Sequence, residues 1–404
     1  MGAQLAKVEL KDLLVDRNIG TPAGRIVRAL SERGGLSAAE IARTTRLAKS
    51  TVSSALSELR RAGIVVESAS LELPRGVGAG RPATLLTLNP EAGTCVGILV
   101  GLEHIQVIVA DVSHAVLADK TVYLEPDYSP QHAAELVRRL VDEAYGERSL
   151  SMDTMLGVGI AVAGPIHPTS GRVMRAGGVT TWAGTDIRTI FEPALACPIF
   201  ADNESNCSAI AEMMWGAARG HEDFVLFTID LGVGGAIVNR GHVLTGIAGG
   251  AGEFGHISID PMGPLCRCGN RGCLELYASF REPMAHARRR FGRPIGIEEI
   301  VALAVEGDVG CRRLIEDTAA AAGRGLGIVG ATINPGLIII EGRIVRSGSL
   351  FLEPLKASYD KYALVKRDDV SEESRTQIVP GRFIENAACL GAVGLVLQHH
   401  GRLL

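Results

Sequence analysis

No stretch of the chain reaches the roughly 18 consecutive apolar residues that a membrane-spanning helix needs. The N-terminal residues include Lys7, Glu9, Lys11, Asp12 and Asp16 where an export signal would carry an apolar core. A cytoplasmic protein with no membrane partner is therefore expected. Cysteine is scarce, 8 in 404 residues, and Cys266, Cys268 and Cys273 stand close together. In a cytoplasmic chain such crowding points to metal ligation ahead of disulfide bonding. Cys95, Cys197, Cys207, Cys311 and Cys389 are scattered and read as core. A strong net charge is also missing, at −4 overall, but the sum hides a split. Residues 1–90 hold 13 basic and 8 acidic side chains, and the rest of the chain 28 and 37. A basic head on an acidic body places the contact with any polyanion in the head.

What the head does contain is helical spacing. Apolar residues recur at Ile26, Val27 and Leu30, then Ile41, then Val52, Leu56 and Leu59. Ser37 with Glu40 three residues on is a capping box, so a short helix starts at Ala38 and ends near Thr45. A second helix runs from about Lys49 to Arg61, and Gly63 follows as its stop. Its first turns are polar: Lys49, Ser50, Thr51, Ser53 and Ser54. Small hydroxyls and a cation at that place suit base edges and phosphates in a major groove. Arg60 and Arg61 at the far end suit the backbone. The competing reading is a helical bundle with a solvated polar face. Two apolar runs, 64–66 and 85–88, flank a Gly-rich loop with Arg75 and Arg81. That pattern is a β-hairpin wing whose arginines suit a narrow minor groove.

After Pro90 the pattern changes. Residues 95–110 read as strand, Gly-containing turn, strand, and residues 224–238 repeat the scheme. Two related α/β halves with a cleft between them are expected. Gly252-Glu253-Phe254-Gly255-His256 is followed by Cys266-Arg267-Cys268-Gly269-Asn270-Arg271-Gly272-Cys273-Leu274-Glu275. This combination resembles the signature of the ROK family (repressors, open reading frames and kinases). The resemblance extends to the head, including Gly80-Arg81-Pro82, and to segments 157–165, 198–212 and 387–397. It implies an α/β chain made of a winged helix-turn-helix and a two-lobed, actin-like, ribonuclease-H-like sugar-kinase fold. The expected division is 1–90 for the head and wing, 91–200 for the first lobe with helix 385–404 packing back on it, and 201–384 for the second lobe. The helical stretch 311–332 is expected to lie near the first half.

His256, Cys266, Cys268 and Cys273 suit tetrahedral zinc, and a closed set of three thiolates and one imidazole suits a structural ion. The alternative is three reduced cysteines with no ion. In the family, the matching Glu and His, the later Glu, and an Asn-Asp pair contact the sugar. The corresponding positions are Glu253, His256, Glu275 and Asn203-Glu204. Metal on one imidazole nitrogen leaves the other to face a hydroxyl. An Asn usual in family kinases corresponds here to Gly178.

The nucleotide side departs further from the kinases. A first phosphate loop resembling Asp-x-Gly-Gly-Thr is here Leu99-Val100-Gly101-Leu102-Glu103. The second, resembling Gly-Thr-Gly-x-Gly-Gly, is Asp230-Leu231-Gly232-Val233-Gly234-Gly235, its glycines read as serving the turn. A Gly-Gly-Gly run becomes Glu341-Gly342-Arg343, and the kinase base Asp becomes Glu204. The expectation is a regulator that keeps a sugar or sugar-phosphate effector and has lost phosphoryl transfer. It binds a double-stranded operator, and the family implies a homodimer or homotetramer. The alternatives are a sugar kinase with residual activity and a regulator controlled by a protein partner.

Overall fold

A computed structural model describes residues 9–14, 18, 20–68, 84–125, 127–174 and 180–399. In the head, the helix Pro22–Arg33 starts on Thr21, whose hydroxyl accepts from the Gly24 amide. The short strand β1 (Leu36–Ser37) leads into the helix Ala38–Thr45, and the Ser37–Glu40 capping box is formed in both directions. The helix Lys49–Arg61 follows, burying Val52, Ala55, Leu56 and Leu59 on one face. Strands β2 (Val65–Ser68) and β3 (Leu85–Leu88) pair antiparallel, and β1 adds to β3, giving the order β1-β3-β2. This is a winged helix-turn-helix.

The body holds two five-stranded sheets of one topology. The first contains β4 (Thr94–Val100), β5 (His104–Asp111), β6 (Val116–Tyr123), β7 (Met155–Val162) and β8 (Ile199–Asn203), in the order β6-β5-β4-β7-β8. The second contains β9 (Phe224–Ile229), β10 (Val233–Asn239), β11 (His242–Val243), β12 (Leu337–Glu341) and β13 (Gln377–Pro380), in the order β11-β10-β9-β12-β13. In each, two antiparallel pairings build a meander, and the fourth and fifth strands add in parallel. The central parallel strands β7 and β12 are almost wholly apolar, as strands covered on both faces must be. The repeat gives two ribonuclease-H-like lobes in an actin-like pair.

The lobes are joined through two packed helices, Glu204–Trp215 and Ala387–His399. The second lies directly on the backbone of the first sheet. A Cβ on Gly97 would meet the Cys389 carbonyl at 2.0 Å, and one on Gly159 the Ala392 carbonyl at 1.9 Å. Gly97 of β4 and Gly159 of β7 are thus required by this close approach, while the helix's own Gly391 faces the Cys207 carbonyl of the helix Glu204–Trp215. The long helix Val309–Ile333 does not adjoin the first lobe, against expectation. It packs on the helix Ser349–Tyr362 within the second lobe's core, where a Cβ on Gly323 would come 2.4 Å from the Leu355 carbonyl. Its apolar spacing was legible, but nothing local names the partner.

The head does not hang free. Helix Pro22–Arg33 packs on the C-terminal helix and on Glu204–Trp215, and its Ile26 and Leu30 join one apolar cluster with Met214, Trp215 and Leu395. The Trp215 ring stacks on His114 of the first lobe at 4.8 Å. Burial pushes the His114 imidazole down to about 4, so the stack stays neutral at physiological pH. Among the described residues, no helix is long and apolar enough to cross a membrane.

Candidate effector cleft, metal loop and DNA-facing helix

The cleft between the lobes collects acidic side chains. Asn203 ends β8 and caps the next helix, its Oδ1 accepting from the Ser205 amide at 2.8 Å and the Asn206 amide at 3.4 Å. Its Nδ2 donates to the Gly164 carbonyl at 2.9 Å. Most of its hydrogen-bonding capacity is therefore spent on the fold, leaving one amide proton for a ligand. Glu204, the first residue of that helix, faces Asp230, Glu253 and Glu275. Burial first, then the charges of Asp230 and Glu253, push its carboxyl up to about 7. Burial, then Glu275, raises Glu253 as well. Glu275 is buried, and its Oε2 accepts from the Val233 amide at 3.3 Å and from Arg267 Nη2 at 3.0 Å.

Arg267 carries no signal as a site residue except its place between two cysteines. That place swings its guanidinium out of the cysteine loop and into the acidic cleft. It is the cation that moderates both Glu204 and Glu253.

The folded state holds the Glu204 proton more tightly than the unfolded chain, whose carboxyl sits near 4.5. This group thus favours folding fully below about pH 4.5, and the advantage is lost as pH rises to about 7. Glu204→Gln should flatten that part of the stability–pH curve relative to the parent chain. Thermal melts in matched buffers across the interval check it, and parallel curves for the two proteins would sink it.

The metal-ligating set converges as its spacing suggests. The donor atoms of His256, Cys266, Cys268 and Cys273 all lie within 4.8 Å of one another. Cys266 Sγ is 3.7 Å from His256 Nδ1, and Cys268 Sγ is 3.6 Å from Cys273 Sγ. A tetrahedral ion with bonds of about 2.3 Å to sulfur needs ligands roughly 3.8 Å apart, so the donor set fits a metal ion. Gly269 and Gly272 have φ of +93° and +59°, and a Cβ on Gly272 would strike the Asp260 carbonyl at 1.7 Å. The other imidazole nitrogen, His256 Nε2, lies 4.0 Å from Glu253 on the cleft side.

The loop after β9 is paired with charges of the second lobe. Arg343 Nε donates to Asp230 Oδ2 at 2.8 Å, its Nη2 to Asp230 Oδ1, and its Nη1 to Glu298 Oε1 at 2.8 Å. Asp230 also holds the Leu231 amide at 2.8 Å. The glycines of this loop serve a purpose other than the turn. Gly232, Gly234 and Gly235 have no left-handed φ. Instead, added Cβ atoms would meet Glu275 Oε2 at 2.9 Å, Ser205 Oγ at 2.6 Å and Phe254 at 2.4 Å. In the first loop, Glu103 is exposed and Gly101 closes a tight β4–β5 turn through its amide and the His104 carbonyl. Segment 175–179, with Gly178, lies outside the described residues.

On the head, Lys49, Ser50, Ser53 and Ser54 are exposed along one side of their helix, with Thr51 half-buried. Arg61 is exposed. Arg60 is exposed and pairs with Glu67 of β2 at 2.7 Å through Nη2, which leaves its other N–H groups available. Arg75 and Arg81 fall outside the described residues. Exposed Arg43 and Arg46, at the end of the preceding helix and in the turn, add cations beside Lys49 that were not singled out from sequence.

These features define a winged-helix head on an actin-like, sugar-kinase-like body. The ROK family model matches residues 95–399, and a MarR family model matches residues 18–71. The chain belongs to the ROK family. It is similar to the xylose repressor of Bacillus spizizenii, 28% identical over 375 residues that cover 93% of this chain and 94% of the relative. Among solved structures it resembles a ROK family transcriptional regulator described as a homologue of the E. coli MLC protein, with 25% identity, TM-score 0.73 and 97% of each chain covered. Its body also resembles a ROK family glucokinase from Streptomyces griseus in complex with glucose and AMPPNP, at 25% identity and TM-score 0.67, covering 74% of this chain and 98% of that one.

Proposed function

We propose that this chain is a sugar-responsive, DNA-binding transcriptional regulator that works in the cytoplasm on genes of carbohydrate uptake or metabolism. Its working parts are the head, residues 1–90; a first lobe, 91–200 with the C-terminal helix; and a second lobe, 201–384. The observation that carries the reading is the contrast between the two ends of the cleft. The sugar end keeps Glu204, Glu253, His256 and Glu275 converging, with one Asn203 proton to spare. The phosphate end is closed by the Arg343–Asp230–Glu298 ion pairs. A nucleotide would have to break those pairs and then face Asp230, so the chain is read as a non-enzyme. Carboxylates suit vicinal hydroxyls by accepting two hydrogen bonds in fixed geometry.

In this model the effector closes the lobes around itself. Helices Glu204–Trp215 and Ala387–His399 connect that closure to the head, and two or four copies present Lys49, Ser50, Thr51, Ser53, Ser54 and Arg61 to a pseudo-palindromic operator. The effector shifts this equilibrium only by its differential affinity for the two states. A gel shift on the DNA upstream of the gene, repeated with free sugars and sugar phosphates, tests the reading. Release or tightening by one of them is expected. DNA binding indifferent to every sugar, or ATP turnover with any of them, overturns it.

The His256–Cys266–Cys268–Cys273 set is read as a structural zinc site that fixes the His256 ring and the loop carrying Arg267. Metal analysis is expected to give about one zinc per chain. Cys266→Ser should lose the ion and weaken effector binding by about 10–100-fold, the range seen when metal-site geometry is disturbed. A metal-free protein with unaltered effector affinity would sink the assignment.

A further inference from the structure

A second cavity, of about 910 Å³, opens where the head meets both lobes. Its size lies within the roughly 300–1,000 Å³ typical of small-molecule sites. Gly35, Leu36 and Leu85 of the head form one wall, Phe200 of the first lobe another, and Met213 and Val243 of the second a third. None of Asn203, Glu204, Glu253, His256 and Glu275 lines it. The cavity is thus separate from the effector cleft.

Its charges are unevenly satisfied. Most of the lining carboxylates are engaged. Glu32 pairs with Arg28 at 2.6 Å and Glu222 with Arg33 at 3.6 Å. Glu40 holds the Ser37 amide and hydroxyl, at 2.8 and 2.6 Å. Asp202 accepts from Asn206 Nδ2 at 2.8 Å and the Asn203 amide at 2.7 Å. Only Glu192 lacks a partner among the described residues. The lining guanidiniums match the carboxylates in number, five to five, but fewer of them are paired. Those of Arg188, in the first lobe, and Arg240, in the second, have no hydrogen-bond or ion-pair partner among the described residues. Arg219 makes one long contact, 3.5 Å, to the Gly35 carbonyl of the head. Three fork-shaped donors beside an apolar floor match one chemistry, an acidic group on a compact apolar body.

We propose that this junction is a second effector site that takes a small organic anion, a carboxylate, phosphate or sulfonate, through Arg188, Arg219 and Arg240. The head supplies part of the wall, so a ligand here binds one head position better than another. Occupancy then biases DNA binding independently of the sugar cleft.

The test is a fluorescence titration of the full chain with 8-anilinonaphthalene-1-sulfonate, which joins a sulfonate to an apolar ring system. Saturable binding of one dye per chain is expected. The Arg188→Ala/Arg240→Asn double variant should bind at least about tenfold more weakly, from the loss of two charge-assisted contacts. Asparagine is chosen because Arg240 sits at φ +52°, where it is tolerated. Arg188→Glu alone, in a half-buried helical position, should give a comparable loss and guards against a folding defect in the double variant. Glu253→Gln should leave dye affinity unchanged. Absent saturation, wild-type affinity in both arginine variants, or equal loss in Glu253→Gln each overturns the proposal.

Discussion

Glu212→Ala should cost about 3–5 kcal/mol of stability, because it removes a fully buried carboxylate and strands three part-buried amides at once. The carboxylate is fully buried in the helix Glu204–Trp215. Its Oε2 accepts from the Ala217 amide at 2.5 Å, and its Oε1 from the Arg382 and Phe383 amides at 2.7 and 3.0 Å. It therefore ties the helix between the lobes to the chain entering the C-terminal helix. A neighbouring acid provides the contrast. Glu341 is buried at the end of β12, one of its oxygens has no partner, and burial followed by the charge of Glu212 raises its carboxyl well above the usual range. Glu341→Gln keeps the side chain's shape and removes only a charge that this burial disfavours, so it should change stability by less than about 1 kcal/mol. Urea denaturation of both variants decides the matter. A Glu212→Ala protein within about 1 kcal/mol of the parent would show that these amides find other acceptors.

Gly391→Ala is expected to be about as damaging, at about 3 kcal/mol or more. The added Cβ would stand 1.6 Å from the Cys207 carbonyl and 2.2 Å from its carbon. Backbone, not a movable side chain, is in the way, so the two crossing helices must separate. Gly146→Ala is the matched control. It lies inside the helix Pro130–Glu147 with nothing within 4 Å of its would-be Cβ. There alanine should be neutral or stabilising by up to about 1 kcal/mol. Equal melting temperatures for the two variants would remove the close-approach account of this helix crossing.

What the sequence disclosed followed distance along the chain. The Ser37–Glu40 capping box spans three residues and forms as expected. The cysteine loop was legible because its donors lie between positions 256 and 273 and its glycines mark tight turns. The repeated strand–turn–strand scheme announced two related lobes. Asp230 and Arg343 stand 113 residues apart, and both were noted as departures from a kinase. Nothing local showed that each neutralises the other. Asn203 illustrates another limit: the family resemblance implied a sugar contact there, and the fold also uses the side chain as a helix cap and a bond to the Gly164 carbonyl. Arg60, read as a phosphate grip, also pairs with Glu67, a strand residue from beyond its helix that its local sequence did not announce. The junction cavity was illegible, since its walls come from three separate parts of the chain.

The seating of helix Pro22–Arg33 on the C-terminal helix has a consequence for how such regulators diversify. The head shares a core with the two helices that join the lobes, through Ile26, Leu30, Met214 and Leu395. It is not a bead on a string that can be exchanged at the linker. A foreign head would arrive with the wrong shape for that seam, and reading a new operator would require matching changes far from any base contact. Operator preference and the packing of this seam are therefore inherited together, and drift in one constrains drift in the other.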